Sequence, residues 1–227
     1  MSADLRLVIF DVDGTLVDSQ GDIIVAMQAA FDHADHPMPD RATVLSVVGL
    51  SLDVMFARLM PELSTSTHNE MIETFKATYM AQRDKGSEAQ SSPLYAGALE
   101  TLQRLHAVPD LLLGVATGKS KRGLGKVIEG HGLEGLFVTP QVADFHPSKP
   151  HPSMLMQAMA DVGVGPNQTV MIGDTSFDME MAALAGARGV GVSWGYHTRE
   201  RLNRAAVVID DFAGVHPALE QIWGVVT

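Results

Sequence analysis

The stretch LVIFDVDGTLVDS, residues 7–19, runs from an apolar segment directly into acidic residues. Leu7 to Phe10 have the character of a buried strand, and Asp11 and Asp13 follow at once. In open α/β sheets, ligands bind beyond the carboxyl ends of the strands. Two carboxylates placed there raise the pKa of one another unless a cation lies between them. We therefore expect this loop to bind a divalent cation such as Mg²⁺, to supply a carboxylate nucleophile, or both.

The composition is that of an ordinary globular protein. The chain has 227 residues, 46% of them hydrophobic and 19% charged, which suits one large domain or one domain with an insertion. The net charge of −11 disfavours a nucleic-acid partner. The absence of cysteine excludes disulfides, thiolate zinc sites and a cysteine nucleophile. With no signal-peptide pattern and no apolar run near the roughly 20 residues that span a bilayer, we expect a cytoplasmic protein without a membrane partner.

Short apolar runs alternate with helical patterns over most of the chain. The runs that predict buried strands are 6–10, 111–116, 136–138, 169–172, 189–192 and 206–209. The stretches with apolar residues at helical spacing between them are 96–107, 120–132, 150–163 and 176–187. This alternation predicts an α/β fold with a Rossmann-like, doubly wound parallel sheet.

The alternation is interrupted once, between residues 18 and 90. This region contains no strand pattern, and helical spacing recurs at 22–31, 42–49, 51–60 and 69–83. The polar stretch 84–93 has the composition of a linker. We therefore predict a core formed by residues 1–17 and 91–227, with residues 18–90 inserted as a small α-helical cap domain. The insertion is either a set of extra helices packed on the core or a movable lid, and its two ends beside the Asp11 loop favour the lid.

A second candidate site is GVATGKS, residues 114–120, at the end of a predicted strand. It is one residue short of a P-loop, so a nucleotide-binding loop is rejected. Thr117, Gly118 and Lys119 remain as a hydroxyl, a flexible backbone position and a cation at one strand end. Thr117 is either the N-cap of the next helix or part of an anion site at that helix terminus, and the two roles are compatible.

Two further segments carry charged candidates. Lys149 lies between prolines in HPSKPHPSM, residues 146–154, where its ammonium is either a solvated surface charge or a fixed partner for a phosphate or a carboxylate. Asp174 and Asp178 follow another apolar strand, so Asp174 is either a helix cap or part of a site. If that strand lies beside the first one, these acids converge with Asp11, as a metal site requires.

Together these segments resemble the haloacid dehalogenase superfamily of hydrolases. The resemblance rests on D-V-D-G-T-L at 11–16, on Thr117, on Lys149 before Pro150 and on G-D-T-x-x-D at 173–178. The dehalogenases of that superfamily lack an acid at the position of Asp13, so its presence here favours phosphate chemistry.

The resemblance covers nearly the whole chain. The insertion at 18–90 is similar to that family's helical cap, and VSWGYHTRERL, residues 192–202, looks like the phosphoglycolate phosphatase-like branch, as does ATGKS. It implies a Mg²⁺-dependent phosphatase that acts on a small phosphorylated metabolite, with phosphoglycolate as first choice, as a monomer or homodimer. A phosphosugar mutase and a catalytically silent phosphate-binding protein are the alternatives. A receiver domain also clusters carboxylates at strand ends, but receivers lack the long insertion and the acid at the position of Asp13, and they are much shorter.

The resemblance also assigns roles to individual residues. Asp11 would form an aspartyl phosphate, and Asp13 would act as general acid and then as general base. Mg²⁺ would be held by Asp11, the backbone carbonyl of Asp13 and Asp174. The remaining roles are phosphate contacts for Thr117, Gly14, Thr15, Gly118 and Lys119, charge neutralisation for Lys149, and orientation of Lys149 or of a metal-bound water for Asp178. Either the loop 47–52 or the cluster of Lys119, Lys121 and Arg122 would select the substrate.

Overall fold

The computed structural model describes residues 5–83 and 91–224. Within these ranges, six strands form one parallel sheet in the order β3-β2-β1-β4-β5-β6. The strands are β1 (Arg6–Phe10), β2 (Leu111–Thr117), β3 (Phe137–Val142), β4 (Thr169–Gly173), β5 (Arg188–Val192) and β6 (Val207–Ile209). The predicted α/β class with a doubly wound parallel sheet is confirmed.

Helices cover both faces of the sheet and also form a separate unit. They are α1 (Gln20–His33), α2 (Arg41–Leu45), α3 (Leu52–Leu59), α4 (Thr65–Arg83), α5 (Ala98–His106), α6 (Lys121–His131), α7 (Ser153–Val162), α8 (Ser176–Leu184) and α9 (Val215–Trp223). Val8 and Phe10 of β1 pack among residues of α5, α6 and α9, whereas Leu7 and Ile9 pack among residues of α7 and α8. The period-2 alternation of side chains along a strand therefore builds one apolar layer on each face.

The central position of β1 determines where a site forms. β1 lies between β2 and β4, and the chain proceeds outward from it in both directions. Such a reversal of strand order leaves a crevice at the carboxyl ends of the strands. The backbone N–H of Asp11 donates to the carbonyl of Ile172 over 2.9 Å, so Asp11 extends the ladder between β1 and β4. Asp11, Thr117 and Asp174 consequently lie at the same edge of the sheet.

The helices α1 to α4, here called the helical unit, have an apolar core of their own. Met27, Phe31, Phe56 and Met71 are fully buried in it, and Phe177 at the start of α8 packs against it from the sheet side. The domain boundaries at 17/18 and 90/91 stay a prediction. Most of the predicted linker, residues 84–90, lies outside the described residues.

Two predicted elements differ from the structure. The helix predicted over 42–49 ends at Leu45, and the chain then turns through Gly49, whose φ of +100° is left-handed and suits glycine. The strand predicted over 136–138 continues to Val142 through Pro140. β3 is an edge strand, the position in a sheet at which proline is tolerated.

Of the helices in residues 5–83 and 91–224, none combines the length and the hydrophobicity that crossing a bilayer requires.

Truncation of Phe56 tests the packing of the helical unit. Phe56 is fully buried between the rings of Phe31 and Phe75, each with its centroid 6.3 Å away. We expect Phe56→Ala to lower the free energy of unfolding by about 3–5 kcal/mol in urea titrations followed by circular dichroism. The control is Val25→Ala on α1, whose side chain is 50% exposed, with an expected change within about 0.5 kcal/mol. Equal effects of the two substitutions would contradict this packing.

Candidate active site

Three buried carboxylates meet at the carboxyl ends of β1 and β4. Asp11 follows β1, Asp174 follows β4, and Asp178 lies in the first turn of α8. One oxygen from each lies within 4.8 Å of the others, and none of the three side chains is more than 1% exposed. The predicted convergence of strand-end acids is therefore present for Asp11, Asp174 and Asp178, because β1 and β4 are neighbours.

Lys149 supplies positive charge to this group. Its Nζ lies 2.9 Å from Asp11 Oδ1 and donates to Asp178 Oδ1 over 2.6 Å, and the residue is 1% exposed. The other oxygen of Asp178 accepts bonds from the backbone N–H and the hydroxyl of Thr175. Asp178 is thus fixed by the start of α8 and in turn fixes Lys149, so the alternative of a solvated surface lysine is wrong.

Asp174 is held by the loop that follows β1. Its Oδ1 accepts a hydrogen bond from the Thr15 hydroxyl over 3.0 Å, and its Oδ2 accepts one from the backbone N–H of Tyr196 over 2.7 Å. Gly14 has a φ of +80°, and a Cβ there would collide with the Asp174 carboxyl group. The N-cap of α8 is Thr175, so the alternative of Asp174 as a plain helix cap is wrong.

The backbone N–H groups of Gly14 and Thr15 shape this loop. The N–H of Gly14 donates to the carbonyl of Val17 over 3.0 Å, and that of Thr15 donates to the carbonyl of Val12 over 3.2 Å. Both residues therefore act on the position of Asp174 and on the turn itself. Their predicted contact with a phosphate stays a prediction.

The electrostatics of the carboxylate group reflect burial and crowding. Burial raises the pKa of Asp11 from 3.8 to about 7, with a smaller contribution from Asp178, although Lys149 acts in the opposite direction. Burial, together with the charges of Asp11 and Asp178, raises the pKa of Asp174 well above its ordinary value. Burial opposes the charge on Lys149, but the carboxylates of Asp11 and Asp178 outweigh it and raise the pKa of Lys149. The Lys149 ammonium thus contacts two of the three clustered carboxylates, those of Asp11 and Asp178.

This arrangement fits a hard divalent cation. Among the described residues neither oxygen of Asp11 has a hydrogen-bond partner, although Lys149 Nζ forms an ion pair with one of them. Buried polar atoms without partners are rare in folded proteins, and carboxylate oxygens are ligands that Mg²⁺ prefers. Asp11 and Asp174 are therefore candidate ligands. The carboxylate of Asp13 does not belong to the group, and the predicted metal contact of its backbone carbonyl stays a prediction.

Asp13 has a separate set of partners. Its Oδ1 accepts a short hydrogen bond from the Ser19 hydroxyl and lies 2.8 Å from Lys119 Nζ. The oxygen of Ser19 is also 3.0 Å from the hydroxyl of Tyr196. The two aspartates of the first motif therefore lie in different environments, with Asp11 in the carboxylate group and Asp13 beside Lys119.

Thr117 and Gly118 form the third part of the site, at the end of β2. The hydroxyl of Thr117 accepts a 3.2 Å hydrogen bond from the backbone N–H of Lys119. The N-cap of α6 is Ser120, which accepts from the N–H of Gly123, so the N-cap role considered for Thr117 is wrong. A Cβ on Gly118 would lie 2.8 Å from the carbonyl oxygens of Gly49 and Leu50. The loop 47–52 of the helical unit thus packs directly on Gly118.

A cavity of about 200 Å³ lies between this edge of the sheet and the helical unit. Its sheet side is lined by Asp11, Asp13, Thr117, Gly118 and Lys119, and its opposite wall is mostly apolar, with Ile23, Val48, Leu50, Leu52, Met55, Phe75 and Met80. Arg122 and Lys76 add charge to the lining. Lys121 is exposed and does not line it. Both candidate selectors, the loop 47–52 and the basic cluster, therefore reach the cavity, the cluster through Lys119 and Arg122.

Sequence reasoning missed three residues that contact the site: Ser19, Tyr79 and Tyr196. Ser19 and Tyr196 surround Asp13, and the hydroxyl of Tyr79 accepts a 2.9 Å hydrogen bond from Lys119 Nζ. Tyr196 lies in the stretch 192–202 that carried part of the resemblance, which is the one available signal. Tyr79 lies in the helical pattern 69–83, and Ser19 is the last residue of the stretch 7–19 that contains the first acids, but neither has a local pattern that marks it as a site residue.

Comparison with known proteins gives a consistent family. The model of the family described as "Haloacid dehalogenase-like hydrolase" matches residues 8–192. A protein named "Probable phosphatase IndB" from Dickeya dadantii (strain 3937) is 34% identical over 214 residues, covering 92% of this chain and 91% of its own. A "Phosphoglycolate phosphatase" from Pasteurella multocida (strain Pm70) is 29% identical over 222 residues, covering 95% and 98%.

A solved structure agrees with these sequence relatives. The crystal structure of a protein described as a predicted phosphoglycolate phosphatase from Haemophilus somnus 129PT is 25% identical and superposes with a TM-score of 0.83, covering 96% of this chain and 100% of that one.

The pH dependence of stability tests the crowding of the carboxylates. The pKa of Asp11 in the folded, metal-free protein lies near 7, above its ordinary value of 3.8. Asp11 therefore contributes stability that is complete below about pH 4 and is lost as the pH rises through about 7. We expect metal-free Asp11→Asn to be more stable than metal-free wild type at pH 8 by about 1 kcal/mol or more, with the difference shrinking towards pH 4.5. A difference that grows towards low pH would contradict this.

Magnesium binding should stabilise the wild-type protein at pH 8, where ionisation of Asp11 destabilises the metal-free form. A cation that binds only the folded state raises the free energy of unfolding, by about 2.7 kcal/mol when its concentration is 100 times its Kd. The melting temperature rises with it. We expect millimolar Mg²⁺ to raise the wild-type melting temperature at pH 8 and to leave that of Asp174→Asn unchanged in differential scanning fluorimetry. The control is Asp53→Asn on the exposed side of α3, which should respond as wild type does. An equal rise in Asp174→Asn would exclude Asp174 as a ligand.

Proposed function

This chain belongs to the haloacid dehalogenase-like hydrolase family, and we propose that it hydrolyses a small phosphomonoester through an aspartyl phosphate on Asp11. It is a phosphatase of that family, since relatives that cover nearly its whole length carry that name. Mg²⁺ dependence, the roles of individual residues and the substrate are the parts that we propose.

The position of Asp11 carries the proposal. Its buried carboxylate lines the cavity, and among the described residues its one charged partner is Lys149, whose Nζ lies 2.9 Å from Oδ1, while Oδ2 has no hydrogen-bond partner. A phosphoryl group in transfer carries negative charge on three oxygens, so an anionic nucleophile needs nearby positive charge to approach it. Lys149 provides that charge from a buried position, where it is weakly screened. A carboxylate with only a structural role would be expected to have its oxygens satisfied.

A bound Mg²⁺ would supply the remaining positive charge. Asp11 and Asp174 are the side chains that would hold it, and the ion would neutralise charge on the phosphoryl oxygens. Asp178 would keep Lys149 in place. The hydroxyl of Thr117 and the N–H of Gly118, at the end of β2, would contact the phosphoryl oxygens. Asp11, Thr117 and Gly118 line the cavity at the ends of β1 and β2, and Asp174 lies beside Asp11 at the end of β4.

The proposed reaction has two steps. In the first, an oxygen of Asp11 attacks phosphorus, the bond to the leaving oxygen breaks, and Asp13 gives that oxygen its proton. In the second, Asp13 takes a proton from water as the water oxygen attacks phosphorus. The bond between phosphorus and Asp11 then breaks, which releases inorganic phosphate and restores both carboxyl groups. Asp13 is suited to both steps because it lines the cavity beside Asp11 but lies outside the carboxylate group.

We further propose that the helical unit is a movable cap. It forms the apolar wall of the cavity and contacts the carboxyl end of β2 through the loop 47–52 at Gly118 and through Tyr79 at Lys119. Opening would admit substrate, and closing would exclude water from the reaction. Phosphoglycolate is the first substrate to test, because relatives carry its name and because Arg122 lines the cavity without an ion-pair partner among residues 5–83 and 91–224. The apolar wall would also accommodate phosphomonoesters of larger alcohols.

Replacement of Asp11 tests the nucleophile. We expect Asp11→Asn to lower kcat by about 10³-fold or more in a phosphate-release assay over a panel of phosphorylated metabolites, while its circular dichroism spectrum stays that of wild type. Asp53→Asn, which removes an exposed carboxylate of α3, should keep wild-type kcat. Excess EDTA should stop phosphate release, and added Mg²⁺ should restore it.

The products of the same assay separate the alternatives. Free phosphate indicates hydrolysis, and an isomeric sugar phosphate without free phosphate would indicate a mutase. Near-normal turnover by Asp11→Asn would contradict the nucleophile, and full activity in EDTA would contradict the metal site.

A further inference from the structure

The carboxylate of Asp13 is connected to the helical unit through Lys119. Lys119 Nζ lies 2.8 Å from Asp13 Oδ1 and donates to the Tyr79 hydroxyl over 2.9 Å. The Lys119 side chain is 8% exposed and that of Asp13 is 13% exposed, so the pair is largely shielded from solvent. Lys119 Nζ also lies 4.9 Å from the centre of the Tyr79 ring, within the range of a cation–π contact. Lys119 therefore contacts both an acid of the sheet edge and a tyrosine of the helical unit.

Tyr79 belongs firmly to the helical unit. Its ring stacks on Phe75 with centroids 5.7 Å apart and planes at 11°, and Phe75 meets the edge of Phe56 at 6.3 Å. Lys119, in contrast, follows β2, and Asp13 follows β1. A movement of the helical unit away from the sheet would carry Tyr79 away from Lys119. The contact between these two residues is thus made only when the helical unit is packed as it is here.

The contacts of Asp13 fall on one of its two oxygens. The Ser19 hydroxyl donates to Oδ1, and the Lys119 ammonium lies 2.8 Å from the same oxygen, so both described contacts of this carboxylate are made through Oδ1. A carboxylate held through one oxygen leaves the other for a proton or for a reacting group. The orientation of that free oxygen therefore depends on what holds Oδ1.

We propose that Lys119 and Tyr79 are positioning residues for Asp13. Lys119 fixes Oδ1, Tyr79 fixes Lys119, and the packed helical unit thereby presents Oδ2 to the leaving oxygen of the substrate. This inference rests on the proposed function, in which Asp13 protonates that oxygen. It replaces the sequence-based assignment of Lys119 to phosphate binding.

Two probe substrates separate positioning from binding. 4-Nitrophenyl phosphate releases a stable phenolate that leaves without a proton, whereas 4-nitrobenzyl phosphate releases an alcohol that needs one. The two have nearly the same shape and charge. The parameter kcat/KM reports the steps up to departure of the leaving group. A misplaced Asp13 should therefore lower kcat/KM for the benzyl ester and leave kcat/KM for the phenyl ester unchanged. The diagnostic quantity is therefore the ratio of kcat/KM for the benzyl ester to that for the phenyl ester.

The variants are Tyr79→Phe, which removes one hydroxyl and keeps the ring, and Lys119→Met. General acid catalysis contributes about 10²–10⁴-fold, so we expect the ratio to fall about tenfold in Tyr79→Phe and about 100-fold in Lys119→Met. Asp13→Asn, which removes the acid itself, sets the largest decrease in this ratio that the positioning variants can show. The control is Lys126→Met on α6, an exposed lysine paired with Glu129, for which the ratio should equal that of wild type.

Three results would overturn the positioning role of Lys119 and Tyr79. Equal losses of kcat/KM for both esters, with a raised KM, would show that Lys119 binds substrate and would overturn the inference. An unchanged ratio in Tyr79→Phe with wild-type circular dichroism would also overturn it, even if Lys119→Met did not fold. If wild type released phosphate from neither ester nor from the metabolite panel, the proposed function itself would fall, and this inference with it.

Discussion

The repulsion among Asp11, Asp174 and Asp178 is the constraint on which the rest of the site depends. Three carboxylates with oxygens within 4.8 Å of one another are buried beside a single ammonium. Burial of this kind costs free energy unless the charges are paired, and the raised pKa values of Asp11 and Asp174 report that cost. Buried charges are normally paired or coordinate a metal ion. A divalent cation bound by these carboxylates would offset their excess negative charge and would also attract a phosphoryl group.

The fold brings the carboxylates together and also separates their roles. Adjacent strands β1 and β4 end in Asp11 and Asp174, and the N-terminus of α8 holds Asp178 against Lys149. Asp13, only two residues from Asp11, is turned to Ser19 and Lys119 instead. A nucleophile and an acid–base group need different surroundings, since one must stay ionised and the other must exchange a proton. The turn at Gly14 and the contact with Lys119 hold the Asp13 carboxylate outside the group formed by Asp11, Asp174 and Asp178.

The sequence predicted the sheet and most of the candidate site because both depend on local patterns. Buried parallel strands are continuous apolar runs, and acids directly after them are conspicuous, as at Asp11 and Asp174. The early end of the second predicted helix and the extension of β3 through Pro140 depend on tertiary contacts that no local pattern encodes. The same holds for Tyr79 and Tyr196, which reach the site from positions 40 residues from Lys119 and 177 residues from Ser19.

The most direct test of the account is detection of the phosphorylated residue. Asp13→Asn should still attack 4-nitrophenyl phosphate, whose leaving group needs no proton, but should hydrolyse the intermediate slowly. Rapid acid quench followed by mass spectrometry of proteolytic peptides should then show one added phosphoryl group on the peptide that contains Asp11, and on Asp11 itself. Phosphate on another residue, or an unmodified peptide while nitrophenolate is released in the first turnover, would contradict the account.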